Sequence, residues 1–203
     1  MKILLTGFEP FGGSPVNPSI QVVNALASDP IENIVLHAAM LPVTQDSGPA
    51  TLVHAIESFK PDTVLCLGQN SGRSALAIER VAINLMDYAI ADNSGALVTD
   101  KPIVADGPAA YFVTLPVRAL LSAIREAGVP AELSLTAGTF LCNQVLYTAL
   151  HHIAMNALPI RAGFIHVPPL PEQVVERLAP SMGLETSITG VRAALSYLSK
   201  GYK

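Results

Sequence analysis

Short apolar runs that end in glycine alternate along this chain with longer amphipathic segments, and no other feature of the sequence constrains the fold as strongly. Lys2–Thr6 is followed by Gly7, and Thr63–Leu67 is followed by Gly68. Continuous apolar runs of this length predict strands that are buried on both faces. The amphipathic segments between them predict helices that cover those faces. The sequence therefore predicts an α/β fold, a three-layer sandwich with a mainly parallel twisted sheet flanked by helices on both faces.

The same patterns locate the individual elements. Strands are predicted at Lys2–Thr6, Ile34–Val43, Thr63–Leu67, Ala75–Asn84, Glu132–Thr136 and Arg161–Val167, and helices at Ser19–Ala27, Gly48–Phe59, Val117–Ala127, Leu141–Ala154 and Thr186–Leu198. The segment Ala91–Pro108 is rich in Asp, Asn, Gly and Pro, which predicts a hairpin or an excursion loop with a short strand at Pro102–Ala105. No repeat or linker divides the sequence, so we expect residues 1–203 to form a single domain.

The chain is poor in charge, and this excludes several classes of function. Charged residues make up 14% of the sequence, against about 25% in an average soluble domain, while hydrophobic residues make up 50%. The 12 Lys and Arg against 16 Asp and Glu give a net charge of −4, which excludes a basic nucleic-acid interface and a polybasic membrane patch. The apolar surplus favours an oligomer interface or a site for an uncharged ligand.

The apolar composition does not predict a membrane protein. The stretch between Glu132 and Arg161 lacks charged residues, but polar residues and Pro159 interrupt it, whereas a spanning helix needs about 20 predominantly apolar residues. The apolar run after Met1 is too short for the hydrophobic region of a signal peptide. We therefore expect a cytoplasmic protein whose two cysteines are free thiols.

Sites in open parallel sheets form beyond the carboxyl ends of the strands, and two turns at such ends are informative. Gly7–Ser14 nearly matches the phosphate-binding pattern G-x-x-x-x-G-K-S/T, but Gly13 occupies the position of the lysine, which disfavours nucleotide binding. Phe8 and Phe11 in this turn favour a pocket wall over a simple Gly/Pro turn. The uncharged polar turn Gly68–Gly72 suits either a neutral ligand or an ordinary connection.

Three residues have the chemistry of a nucleophilic site. Cys142 opens a predicted helix, but a helix N-terminus supplies only about 0.3–1 kcal/mol of the roughly 2 kcal/mol that thiolate formation needs, so a histidine partner is required. His166 closes the predicted strand at the same rim, and Glu79 lies in an otherwise apolar strand, where an unpaired carboxylate is costly. Each of the three residues also has a purely structural interpretation. Cys142 would be a small buried hydrophobic residue, His166 a hydrogen-bonded imidazole of the core, and Glu79 a carboxylate neutralised by Arg80 or another base.

Two segments that carry these residues resemble the motifs of a known family. Glu79-Arg-Val-Ala-Ile-Asn84 and Ala137-Gly-Thr-Phe-Leu-Cys-Asn143 are similar to the two signature motifs of the pyroglutamyl peptidase I (pyrrolidone-carboxylate peptidase) family of cysteine peptidases. The opening Thr6-Gly-Phe-Glu-Pro-Phe11, with Asn17-Pro-Ser19 close behind, also resembles that family. The similarity extends over most of the chain, and the seven residues around Cys142 are its most specific part.

The resemblance implies a cysteine exopeptidase that hydrolyses the amide bond after an N-terminal pyroglutamyl (5-oxoprolyl) residue of a peptide, through a thioester acyl-enzyme. It implies that Cys142 is the nucleophile, His166 the general base and acid, and Glu79 the residue that orients the imidazole. The oxyanion would be held by backbone N–H groups at the helix start. The substrate-binding residues that the resemblance implies are Phe8, Phe11, Gln69, Phe140 and Leu141. It also implies peptide substrates, no cofactor or metal, and a homo-oligomer, either a dimer or a tetramer.

Two positions depart from the family pattern. Ala77 stands where the family usually has Ser or Thr, and Ala89 stands where many members have an Arg near the oxyanion, so we expect no contribution of that side chain to the oxyanion hole. Two other functions stay open from the residues alone. One is another α/β hydrolase or phosphorylase-like enzyme that acts on a small heterocycle, and the other is a catalytically silent small-ligand binding protein.

Overall fold

The computed structural model describes residues 1–201, so the last two residues of the expected domain, Tyr202 and Lys203, lie outside the described residues. The strands are β1 (Lys2–Phe8), β2 (Val35–Leu41), β3 (Thr63–Gln69), β4 (Leu76–Glu79), β5 (Val81–Ile83), β6 (Ala110–Phe112), β7 (Ala131–Ser134) and β8 (Arg161–Val167). The helices are α1 (Pro18–Ser28), α2 (Ser47–Phe59), α3 (Val117–Glu126), α4 (Leu141–Met155) and α5 (Leu184–Ser199), with a 3₁₀ turn at Pro171–Gln173. Within residues 1–201, none of the helices is long and apolar enough to cross a membrane.

Six strands form one mixed sheet in the order β2-β1-β3-β8-β4-β7. The first four strands in this order are parallel, whereas β4 runs antiparallel to β8 and parallel to β7. In the register of β3 and β8, Gly68 lies opposite His166 and Gln69 lies opposite Val167. The carboxyl ends of these two strands therefore lie side by side at one rim of the sheet.

Alternate side chains of the central strands pack against opposite layers of helices. Leu4 and Val64 belong to the core beneath α2 and α4, whereas their neighbours Leu5 and Leu65 belong to the core beneath α1, α3 and α5. All four side chains are fully buried. Burial on both faces explains why these strands read as continuous apolar runs, and it confirms the predicted three-layer sandwich.

The prediction of one strand at Ala75–Asn84 is wrong, because the chain leaves the main sheet at Arg80. β4 stays in that sheet, whereas β5 pairs with β6 in a separate two-stranded sheet that the sequence did not predict. The Arg80 N–H donates to the Ser134 carbonyl, and the Arg80 carbonyl accepts from the Val113 N–H. These two bonds bind Arg80 to different parts of the fold, and they make Glu79 the last residue of β4.

The predicted short strand at Pro102–Ala105 is also wrong, since this segment forms turns. Asn84 supplies the physical reason. Its Nδ2 donates to the Val104 carbonyl (2.7 Å) and its Oδ1 accepts from the Val104 N–H (2.9 Å). A side chain thus satisfies the backbone groups that a strand partner would otherwise bond. The other predicted elements agree with the structure to within two residues at each end.

Candidate active site

A buried imidazole–carboxylate pair lies where β4 meets β8. Nδ1 of His166 lies 2.8 Å from Oε1 of Glu79, and the two side chains are 3% and 0% exposed. A buried carboxylate requires such a partner, and the partner of Glu79 is the imidazole of His166 and not the side chain of Arg80. Because the carboxylate takes the Nδ1–H, Nε2 is the ring nitrogen left to exchange a proton with a third group.

The thiol of Cys142 approaches the same rim from the start of α4. Phe140 is the extended N-cap of this helix, so Cys142 lies in the first turn, where N–H groups have no acceptor inside the helix. A Cβ atom built on Gly68 would lie 2.8 Å from Sγ of Cys142 and 2.7 Å from Cζ of Phe164. Gly68 lies opposite His166 in the sheet, and the rings of Phe164 and His166 are 4.7 Å apart. The thiol therefore lies at the rim of the sheet that also carries the imidazole of His166 and its carboxylate partner, Glu79.

The environment of Cys142 favours the protonated form of its thiol. Burial raises the pKa of this thiol to about 12, the charge of Glu79 raises it further, and the backbone N–H of Cys142 opposes the shift. The helix start does not generate a thiolate, in agreement with the small dipole contribution estimated from the sequence. A base must therefore remove the proton before Cys142 can act as a nucleophile.

A small apolar cavity adjoins the thiol. It is lined by Phe8, Phe11, Asn17, Val43, Gln69, Phe140, Leu141 and Cys142. All five residues that the resemblance assigns to substrate binding thus line one cavity together with the candidate nucleophile. Phe8 lines the cavity from inside β1, where it is 2% exposed, so the prediction that Phe8 lies in the turn after this strand is wrong.

The two aromatic walls of the cavity are in contact. The ring centroids of Phe11 and Phe140 are 6.1 Å apart, and the cavity has a volume of about 10 Å³. A cavity of this volume holds about one water molecule. A ring stacked between two aromatic faces needs roughly 7–8 Å between them, at about 3.5–4.0 Å per contact. Phe11 and Phe140 must therefore separate before a ring can stack between them.

Polar contacts behind Phe140 fix the start of α4. The ring of Tyr88 packs edge-on against Phe140 with centroids 4.7 Å apart, and its hydroxyl donates to Oε1 of Gln144 (2.5 Å). Asn143 accepts from the Ile83 N–H (2.9 Å) and donates back to the Ile83 carbonyl (2.9 Å). Tyr88 and Gln144 cannot be predicted from the sequence, because neither residue belongs to a local pattern that indicates a contact between these segments.

A larger groove of about 620 Å³ continues from the cavity and shares Phe11 and Gln69 with it. Its walls are residues 11–16 on one side and residues 172, 173 and 177 on the other. Gln173 joins these walls, since its Nε2 donates to Oγ of Ser14 (3.0 Å) and to Oε1 of Gln69 (3.2 Å). Phe11 and Gln69 therefore lie between the small cavity and the larger groove.

The two departures from the family pattern occupy different surroundings. Ala77 is fully buried and lies opposite His166 in the pairing of β4 with β8. Ala89 is exposed in a loop that is bound to the turn before α4, where Oγ1 of Thr139 donates to the Asp87 carbonyl (2.6 Å). The methyl side chain of Ala89 offers no hydrogen-bond donor.

Known proteins are similar to this chain over almost its whole length. The family model for pyroglutamyl peptidase matches residues 1–200. The pyrrolidone-carboxylate peptidase of Vibrio vulnificus is 50% identical over 190 residues, which cover 94% of this chain and 89% of that protein. The corresponding enzyme of Bacillus licheniformis is 45% identical over 193 residues, which cover 95% of this chain and 90% of that protein. The crystal structure of Bacillus amyloliquefaciens pyroglutamyl peptidase I matches with a TM-score of 0.95 at 38% identity, covering 98% of this chain and 97% of that one. With this fold, this rim and these relatives, the chain belongs to the pyroglutamyl peptidase family.

Proposed function

We propose that this chain is a cysteine exopeptidase that hydrolyses the amide bond after an N-terminal pyroglutamyl residue of a peptide. The observation that carries the proposal is the position of the Cys142 thiol, which lies beside Gly68, the sheet partner of His166 in the buried His166–Glu79 pair, and lines an aromatic cavity. The names of the relatives, pyrrolidone-carboxylate peptidase and pyroglutamyl peptidase I, support the substrate class.

The reaction begins with transfer of the Cys142 proton to Nε2 of His166. Sγ then attacks the carbonyl carbon of the amide that links the pyroglutamyl residue to the rest of the peptide. The oxyanion that forms accepts hydrogen bonds from free backbone N–H groups at the start of α4. The carboxylate of Glu79 holds the ring through Nδ1–H and stabilises the imidazolium. The imidazolium then donates its proton to the leaving nitrogen, so the C–N bond breaks and a thioester remains on Sγ.

The second half of the reaction frees the enzyme. A water molecule gives one proton to Nε2 of His166 and attacks the thioester carbonyl, and the C–S bond breaks as the proton returns to Sγ of Cys142. Pyroglutamate is released as the free acid. The chain itself supplies the nucleophile, the base and the oxyanion donors, so the proposed chemistry requires no cofactor.

The cavity suits an uncharged lactam better than the residues that resemble it. A pyroglutamyl ring carries no charge, whereas a glutamyl residue would bring an ammonium and a carboxylate into an apolar site at high cost. A prolyl residue lacks the ring carbonyl, so groups that bond the lactam, among them the amide of Gln69, would be left unpaired. The leaving peptide lies in the groove that begins at Phe11 and Gln69.

The test is the release of a chromophore from its pyroglutamyl amide, with the prolyl and glutamyl amides of the same chromophore as controls. We expect rapid turnover of the pyroglutamyl amide and a value of kcat/KM about 10⁴-fold lower for the prolyl amide, as for sites that lose a buried hydrogen-bond partner. Absence of wild-type turnover would contradict the proposed function, and equal rates with the prolyl amide would contradict the proposed substrate.

Gly68→Ala is expected to lower kcat/KM for the pyroglutamyl amide by about 10²-fold, the cost of a displacement of about 1 Å in a reacting group. The added methyl group would lie 2.8 Å from Sγ of Cys142 and 2.7 Å from Cζ of Phe164, so the sulfur and the phenyl ring are both pushed from their positions. Gly72→Ala is the matched control, because its methyl group would meet only Oδ1 of Asn70, at 3.6 Å, in the same turn. Steady-state kinetics of both variants would test this, and equal activities would contradict the close approach of Gly68 to the thiol.

We also propose that the enzyme is a cytoplasmic homo-oligomer built from one α/β domain. Large apolar side chains on the surface support an interface between copies, since Phe112 on β6 is 73% exposed and Met40 on β2 is 55% exposed. Light scattering coupled to size-exclusion chromatography would give the number of chains.

A further inference from the structure

One wall of the aromatic cavity stands on a connection that is not part of the regular structure. Phe11 lies in the segment between β1 and α1, where its neighbours Pro10 and Gly12 are exposed. Phe140, by contrast, is the N-cap of α4 and rests on Tyr88. Because Phe11 and Phe140 must part and close again around a ring, the affinity for the ring depends on how the segment that carries Phe11 is held.

Two side chains meet immediately before Phe11 and join three segments of the chain. Nδ2 of Asn93 donates to Oε1 of Glu9 (2.8 Å) and to the carbonyl of Pro10 (2.9 Å). The same carboxylate oxygen of Glu9 accepts from the Val43 N–H (2.9 Å), and the Asn93 N–H donates to the Val43 carbonyl (2.9 Å). Hydrogen bonds to a carboxylate are stronger than those between neutral groups, which makes Glu9 the centre of this junction.

The junction adjoins the cavity on two sides. Phe11 follows Glu9 by two positions, and Val43, which bonds to both Glu9 and Asn93, is itself a lining residue of the cavity. Neither Glu9 nor Asn93 lines the cavity beside the thiol, so the pair does not contact the reacting atoms.

We propose that Glu9 and Asn93 are positioning residues that hold Phe11 and Val43 as walls of the lactam cavity. The proposal rests on the proposed function, because it assigns the pair to recognition of the pyroglutamyl ring. The pair acts on the affinity for the ring and leaves the chemical step at Cys142 unchanged.

An exchange of donor and acceptor tests the contact itself. Asn93→Asp removes the donor and sets a second carboxylate beside Glu9, and we expect it to raise KM for the pyroglutamyl amide about tenfold with little change in kcat. Glu9→Gln retains an acceptor for the Val43 N–H, and we expect a smaller effect. In the double variant, the amide nitrogen at position 9 can donate to the new carboxylate at position 93, so KM should recover part of the loss.

A double variant with KM no lower than that of Asn93→Asp would overturn the proposal, as would a loss confined to kcat. The rate at which iodoacetamide labels Cys142 without substrate is measured in all four proteins, so that a change in access to the thiol is separated from a change in affinity for the ring. Asn93 is exposed in a turn, and melting temperatures would check that the variants fold. If Asn93→Asp is unstable, Asn93→Ala removes the donor without adding charge and is expected to raise KM as well.

Failure of the proposed function would give a different result from failure of the positioning role. A wild-type protein without turnover would contradict the function alone. The positioning role would then be read from protection of Cys142 against iodoacetamide by 2-pyrrolidone, for which Asn93→Asp is expected to need about tenfold more ligand. Wild-type turnover with an unchanged KM in every variant would contradict the positioning role alone.

Discussion

Replacing Cys142 with alanine is expected to lower kcat for a pyroglutamyl amide by about 10⁴-fold or more, the loss seen when a covalent nucleophile is removed. Without Sγ no thioester can form, and neither His166 nor the backbone N–H groups of α4 can substitute for it. Release of a chromophore from its pyroglutamyl amide measures the effect.

Cys66→Ala is the matched control for this variant, because Cys66 is the other free cysteine of the chain and is fully buried on β3. Burial also raises the pKa of its thiol to about 12. We expect Cys66→Ala to keep kcat while losing about 1 kcal/mol of stability, as is typical of a small core truncation. Full activity in Cys142→Ala, or equal loss in the two variants, would contradict the assignment of the nucleophile.

Replacing His166 with alanine is expected to lower kcat by about 10³–10⁴-fold at neutral pH, within the range for loss of a general base. The pKa of the Cys142 thiol is raised to about 12, so the thiolate is scarce when no base is present. The thiolate fraction of such a group rises about tenfold per pH unit below its pKa. The residual rate of the variant should therefore increase about tenfold per pH unit between pH 7 and pH 10, whereas the wild type should not show this slope.

His152→Ala provides the control, since His152 on α4 also faces a carboxylate, with Nε2 3.7 Å from Oε1 of Glu57, but lies away from the cavity. Its kcat is expected to equal that of the wild type. A pH-rate profile of His166→Ala parallel to that of the wild type would show that His166 does not take the thiol proton.

The alternation of apolar runs and amphipathic segments predicts the sandwich, because the apolar run of each strand indicates by itself that both faces of that strand are buried. The break at Arg80 is not predictable in the same way. The apolar pattern continues from β4 into β5, and only the bonds of Arg80 to Ser134 and Val113, which are distant in the sequence, separate the two sheets. Local patterns report the environment of a strand, whereas its choice of partner depends on the assembled fold.

Cys142 and His166 can be predicted from the sequence as candidate site residues. Cys142 lies at the start of a predicted helix and His166 at the end of a predicted strand, and both positions fall at the rim of the sheet where sites form. Glu79 is noticeable because an unpaired carboxylate in an apolar strand is costly. Glu9 and Asn93 give no such signal, because they are polar residues in loops, and their bond joins positions 84 residues apart. The high pKa of the Cys142 thiol likewise arises from burial and from the charge of Glu79, which only the folded chain brings near.

The contact between Phe11 and Phe140 lowers the affinity of every ligand that binds between these two rings. Only those protein molecules in which the two rings have separated can bind the ligand. The apparent Kd therefore equals the intrinsic Kd divided by the fraction of protein molecules in this open state. An aromatic pair worth about 0.5–1.5 kcal/mol weakens binding by about two- to tenfold through this closure. The free pyroglutamate left by thioester hydrolysis is subject to the same closure, which favours its expulsion. The contact between Phe11 and Phe140 therefore weakens the binding of substrate and of product by the same factor.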